Sequence, residues 1–450
     1  MITTIIIGNF VEHEKILSQI ALGISVISAI SIAAIRLPSI NRIARIFFFG
    51  AIFISTILLL LSDHSRSILW KSTVQGTEFS AFLVSLGLIR RQVRHSPVIA
   101  KATTELFNLP HRLRIAGIVF GSEFLSVLFN IGTIGIFSDM AVGHSSRQHG
   151  KTAIDENKIV LAAIQGTVLC TAWNPMGLGF AIITTSLPAL NATTFLILTF
   201  IVAMLLSAAL VLSEPAELSK GTITKTTSPE NRKAVTLTLT GIIALIFVTA
   251  MVHQLFHVSF LVAGCLILPM SAVLWALAEP NNLNTTKTGT LDALATASAT
   301  MASETTIFLS ANIIGNAASF FLQAASITSA FLNTSIPDLV VILGSLLLIP
   351  VAGALLIPHS IVMITIASVL GNSPLGSAHP FSLAFALCYA WAFAVSASPV
   401  SAISIIGSKY LNVSATKMAF SINRYFTLCG LAAGAAIVTI AYLLENFLLP

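Results

Sequence analysis

Long apolar runs separated by short polar connections set the pattern of this chain. Runs at 16–35, 43–61, 192–211, 234–252, 258–277, 339–357, 380–395 and 425–444 are apolar all round. Each approaches or reaches the roughly 20 residues that an α-helix needs to cross a bilayer. A helix without a polar stripe cannot lie against water, so these runs predict membrane spans. The pattern predicts an all-α polytopic membrane protein. A further crossing is expected over 77–89 and the residues before it, where Lys71 and Glu78 lie near its start.

Four stretches are apolar at their ends and polar in the middle. The first, 114–142, is interrupted by Gly121, Ser122, Glu123, Asn130, Gly132, Thr133 and Gly135. The second, 158–187, carries Asn174-Pro175 followed by Gly177 and Gly179. Proline lacks an amide donor and clashes with the preceding turn, so this pair predicts a broken helix. The third, 291–325, holds Ser303, Glu304, Thr305, Thr306, Ser310, Asn312, Gly315 and Asn316. The fourth, 380–410, is broken at Ser398-Pro399, with Ser401 just beyond.

These stretches form two pairs. Ser122-Glu123, Asn130 and Gly132 precede Asn174-Pro175, and Ser303-Glu304, Asn312 and Gly315 precede Ser398-Pro399. The two prolines stand 224 positions apart, about half the chain. Irregular backbone at membrane depth is tolerated only around a cavity or inside protein. Interrupted segments in corresponding halves point to a transporter's midplane site. The reading is two inverted repeats, each with a re-entrant hairpin and a broken helix. Hairpin tips are expected near 129–135 and 310–316, with all four motifs lining one cavity. The expected division is 1–112 as N-terminal scaffold, 113–213 as a first transport repeat, 214–288 as scaffold of the second half, and 289–450 as a second transport repeat with extra helices.

Composition strengthens this picture. Hydrophobic residues make up 56% of the chain and charged ones 9%, against about 25% charged in soluble domains. The formal charge of +6 does not imply nucleic acid, because the basic residues mark loops. Arg36, Arg42 and Arg45 form one cluster, and Arg90, Arg91, Arg94, Lys101, Arg112 and Arg114 another. Positive loops stay cytoplasmic, which places the N-terminus outside. The first residues lack a basic n-region and a cleavage site, so they read as mature protein. The four cysteines sit in apolar runs without metal-ligand spacing and read as small core residues.

The stretch 359–414, with Leu370-Gly371, Pro374 and Ser398-Pro399, resembles the C-terminal part of the ion transporter superfamily. That group includes the large subunit of TRAP dicarboxylate transporters, divalent anion/sodium symporters, and arsenite and citrate permeases. Residues 165–187 look like the corresponding first-half break. The resemblance implies an elevator motion of a transport domain against a scaffold, a substrate site built from hairpin tips and unwound helices, a bacterial inner-membrane location and a homodimer. Where the symporters carry Ser-Asn-Thr at both tips, this chain reads Phe129-Asn130-Ile131-Gly132-Thr133 and Ser310-Ala311-Asn312-Ile313.

The candidate solute- and ion-binding residues are therefore Asn130, Gly132, Thr133, Asn174, Pro175, Ser303, Glu304, Thr305, Asn312, Gly315, Asn316, Ser398, Pro399 and Ser401. Glu123 and Glu304 are candidate proton carriers, since a mid-membrane carboxylate is costly to insert and usually functional. For the asparagines the alternative is interhelical hydrogen bonding. His253 and His257 share a helix face, but no third metal ligand is visible. No cofactor is expected beyond a coupling H⁺ or Na⁺. The leading function is secondary active transport of a small organic solute, expected to be an anion although no Arg or Lys lies in the four motifs. A membrane-embedded enzyme acting on lipid or polysaccharide, and a membrane subunit of a multi-component transporter, are the alternatives. No His-Glu-x-x-His or Gly-x-Ser-x-Gly motif is present to favour an enzyme.

Overall fold

The computed structural model describes residues 1–10, 15–63, 65–94, 96–145, 153–213, 228–278, 299, 301–324 and 336–448. Among them the regular elements are helices. The first half runs α1 (Ile2–Phe10), α2 (Lys15–Arg36), α3 (Arg42–Leu61), α4 (Ser65–Val93), α5 (Pro97–Asn108), α6 (His111–Phe129), α7 (Gly132–Ser145), α8 (Ala153–Thr171), α9 (Leu178–Ser186) and α10 (Ala192–Ser213). The second runs α11 (Pro229–Phe256), α12 (Phe260–Ala278), α13 (Ala302–Ala324), α14 (Asp338–Ala354), α15 (His359–Gly371), α16 (Pro374–Ala378), α17 (Pro380–Ala397), α18 (Ala402–Tyr410), α19 (Ala415–Lys417) and α20 (Arg424–Leu448).

Eight helices among the described residues are long and apolar enough to cross a membrane. Seven match runs expected from the sequence. The eighth is Ala302–Leu322, whereas the run at 339–357 forms a helix of only 17 residues, α14. The all-α polytopic plan stands. Outer helices keep apolar side chains exposed, such as Ile46, Phe49 and Phe53 on α3 or Leu428 and Ile440 on α20. Lipid is the solvent that suits such faces. The window spanning α17 and α18 is 89% buried, against 22% for α3 and for α20, so α17 is the central post of the fold.

Both broken helices form where expected. α8 stops at Thr171 and α9 starts at Leu178, with turns through Asn174-Pro175. α17 stops at Ala397 and α18 starts at Ala402, across Ser398-Pro399. The first hairpin also forms: α6 and α7 turn at Asn130-Ile131 and pack on each other.

The second hairpin lies elsewhere. Residues 310–316 are inside α13, which runs unbroken from Ala302 to Ala324. No proline interrupts it, and its asparagines satisfy themselves along the helix. Asn312 Nδ2 donates to Phe308 O at 2.9 Å, and Asn316 Nδ2 to Asn312 O at 2.9 Å. The hairpin of this half is α14 with α15, which turns at residues 355–358 where Leu356 takes a φ of 66°. Each half thus contains a hairpin, a broken helix and a long apolar helix. α6 packs along α8 as α14 packs along α17.

Small residues set the closest crossings. A Cβ on Gly430 would fall 2.0 Å from the Phe393 ring, and one on Gly434 3.2 Å from Tyr389 Cβ. The GxxxG of α20 is therefore used within the chain, against α17. α13 packs on α3 and α4, and Gly76 of α4 brings the Leu309 backbone within 2.9 Å of a Cβ position.

Candidate functional site

The first break is held by its own asparagine and by a buried carboxyl. Asn174 Oδ1 accepts from Met176 N at 2.9 Å, and Gly177 N donates to Asn174 O at 2.8 Å. Pro175 has no amide to continue the helix. Glu123, fully buried on α6, accepts from Trp173 Nε1 at 2.8 Å and from Ser207 Oγ of α10 at 2.5 Å. One carboxyl therefore ties the hairpin, the break and the following apolar helix together. Cys388 Sγ of α17 lies 2.7 Å from Ala172 O, at the frayed end of α8.

At the second break Ser398 N donates to Ala394 O at 3.1 Å, and the Ser401 hydroxyl caps α18 by accepting from Ser404 N at 3.1 Å. Gly353 of α14 lets this turn approach, since its Cβ position lies 3.2 Å from Ala394 O and 3.5 Å from Ser398 Cβ. Ser404 Oγ is buried with no partner. The first break packs against the shaft of α17 near Cys388 and Trp391, where the Gly179 Cβ position is 2.7 Å from the indole. At 1.5 Å per residue that shaft lies about 10–15 Å along α17 from Ser398.

At the first hairpin turn Asn130 has a φ of 51°, and its carbonyl accepts from Thr133 N at 3.1 Å. Gly132 opens α7, and the buried Thr133 hydroxyl has no partner. Arg90 of α4 reaches this end of α6, where its Nε donates to Leu128 O at 3.2 Å. Farther along α7, Asp139 accepts from the Tyr410 hydroxyl of α18 at 2.6 Å. Arg90 thus reaches the end of this hairpin from another helix, whereas the bonds of Asn174 stay within the break and the last turn of α8.

The third predicted motif separates from the others. Ser303 Oγ accepts from Asn41 N at 3.2 Å, and Thr305 O from Ser80 Oγ at 3.3 Å. Glu304 is exposed in the first turn of α13, where a carboxylate suits the helix dipole; the expected buried acid is not there. Asn316 Nδ2 donates to Gln75 Oε1 of α4 at 3.4 Å, and Gln75 Nε2 to Thr185 Oγ1 of α9 at 3.3 Å. Gly315 faces α15, its Cβ position 2.6 Å from Ile364 Cγ2.

Several participants were not singled out from sequence. Gln75, Ser207 and Tyr410 meet their partners across 84 or more positions, and no local pattern marks them; Arg90, which the basic cluster marked as a loop residue, lies instead in α4 and reaches Leu128 O across 38 positions. Glu445, near the end of α20, is also buried and accepts from Phe381 N at 2.6 Å at the start of α17. Cys429 is exposed, while the other three cysteines are buried. His253 Nδ1 lies 2.6 Å from Val258 O, and no metal-ligating cluster occurs among the described residues.

The chain matches no protein-family model and no curated protein. Solved structures do share its fold. The YdaH transporter of Alcanivorax borkumensis superposes with a TM-score of 0.61 over 91% of this chain and 99% of that one, at 11% identity. MtrF of Neisseria gonorrhoeae, described with a class of antimetabolite efflux pumps, superposes with a TM-score of 0.53 over 88% of this chain and 94% of that one, at 13% identity. At these identities the likeness is one of fold: a polytopic helical architecture that is found in membrane transporters.

Proposed function

We propose that this chain is a secondary active transporter that moves a small, anionic organic solute across a membrane by an elevator motion. The observation that carries this reading is the unit of hairpin, broken helix and apolar helix, present once in each half. Half-helix ends opened at Asn174-Pro175 and Ser398-Pro399 supply backbone dipoles inside an apolar envelope. In this reading Asn130–Thr133, Asn174 and Ser398–Ser401 contact the solute, and α6–α10 with α14–α20 move relative to the helices around α4. Arg90 at the first hairpin turn is the cationic group that the four motifs lack. Glu123 couples the cycle to protons: a carboxyl protonated on one oxygen accepts fully only through the other, so one of the two donors that it holds, Trp173 or Ser207, is set free at the break.

The test is uptake in proteoliposomes, with a panel of radiolabelled organic acids under imposed H⁺ or Na⁺ gradients. Gradient-driven accumulation that falls at least tenfold in Asn174→Ala and Ser398→Ala is expected. Glu123→Gln is expected to abolish dependence on the proton gradient while leaving solute exchange. Absence of accumulation for every acid under both gradients would overturn the proposal.

A further inference from the structure

The seam between α4, α13 and α9 has a chemistry that neither break possesses. Asn312 is fully buried, and its amide nitrogen is spent on Phe308 O, so its Oδ1 points away from that bond and has no partner. An unpaired carbonyl oxygen at this depth is costly, which selects for something that satisfies it. One turn on, Asn316 also commits its nitrogen, to Asn312 O at 2.9 Å and Gln75 Oε1 at 3.4 Å. Its own Oδ1 has no protein partner among the described residues. Gln75 Oε1 receives only that long bond, and Gln75 Nε2 reaches Thr185 Oγ1 at 3.3 Å.

The seam thus presents amide oxygens with more lone pairs than donors. Amide and hydroxyl oxygens are hard ligands that suit alkali and alkaline-earth cations. Gln75, Asn312 and Asn316 are all neutral, which disfavours a divalent ion. Glycines keep the walls close, with Gly76 against Leu309 and Gly315 against Ile364.

We propose that Asn312, Asn316 and Gln75 form a binding site for one monovalent cation, at the seam where α4 and α13 meet the half-helix after the first break. Thr185 completes it from α9. A cation here ties α9 to α4 and α13, whereas its loss leaves α9 joined to this seam, among the described residues, by the 3.3 Å bond between Gln75 and Thr185. The transport reading gives this site a role as a coupling-ion site; the binding itself does not depend on that reading.

The experiment is thermal unfolding of the purified, detergent-solubilised chain in NaCl or N-methyl-D-glucamine chloride at equal ionic strength. A rise of about 3 °C or more in Na⁺ is expected at saturating ion, with a hyperbolic dependence on Na⁺ concentration. Asn312→Ala and Gln75→Ala should each lose that rise, while Cys429→Ala, exposed on α20, should keep it. Asn312→Asp, which retains an oxygen and adds charge, should lower the Na⁺ concentration needed for half the rise. A midpoint independent of cation identity means that water satisfies Asn312, and overturns the proposal. So does a Na⁺ rise retained in both alanine variants. Because the measurement reads binding without transport, a negative uptake assay leaves it intact, and a flat thermal response leaves the uptake assay intact.

Discussion

Two segments of this chain carry nearly the same polar signature and do opposite things. Ser122-Glu123, Asn130 and Gly132 end one helix and begin another, so the chain reverses at Asn130. Ser303-Glu304, Asn312 and Gly315 lie in a single helix of 23 residues. At the first, Asn130 adopts φ 51° and ψ −129°, outside the left-handed helical basin and in a region that favours glycine. At the second, Asn312 stays helical and bonds back to the preceding turn. The carboxylates diverge as well: Glu123 is buried between two donors, and Glu304 is exposed. Asparagine, glycine and glutamate permit either outcome, and the packed neighbours select between them.

Paired substitutions sharpen this contrast, and each is read as the midpoint of thermal or detergent-induced unfolding. The largest difference is expected between the two carboxylates. Glu123→Ala strands the Trp173 and Ser207 donors in a buried place and should cost about 3 kcal/mol. Glu304→Ala should stay within about 0.5 kcal/mol, as exposed substitutions do. Equal losses would erase the distinction between the two halves. The glycines come next. Gly315→Val drives a branched side chain into Ile364 and should cost about 2–3 kcal/mol. Gly132→Ala meets only Phe129 Cβ, at 3.7 Å, and should change stability by less than about 0.5 kcal/mol. The smallest effect carries opposite signs. Asn130→Gly relieves the positive φ and should stabilise by about 1 kcal/mol. Asn312→Gly puts glycine inside a helix and should destabilise by about 1 kcal/mol or more. Stabilisation by both would mean that α13 also turns at Asn312.

The membrane-spanning helices were legible because their cause is local. Runs of about 20 apolar residues leave no alternative to a helix in lipid, and the polar pairs Asn174-Pro175 and Ser398-Pro399 announce their own breaks, whereas Pro269 and Pro350, set among apolar neighbours, stay inside helices. The repeated unit could be read from those breaks, but its second hairpin could not be placed. Residues 355–358 are three aliphatics and a proline at the end of an apolar run. Pro358 marks the start of a new helix there, but nothing in that string marks a reversal within the membrane until α14 is packed against α17 and α15 against α13.

The site divides the same way. Asn174 and Ser401 perform turn and cap roles written in their immediate neighbours. Arg90 at Leu128 O and Gln75 between Asn316 and Thr185 are products of contacts spanning 38 to 241 positions. Apolar length and chain-breaking residues therefore decide that this protein is helical, membrane-embedded and twice interrupted, because those effects act over one or two turns. Which polar side chains share a buried neighbourhood, and whether an asparagine bends the chain or lines a seam, is decided only once the helices are packed, because burial makes an unmet hydrogen bond expensive and so selects among long-range partners.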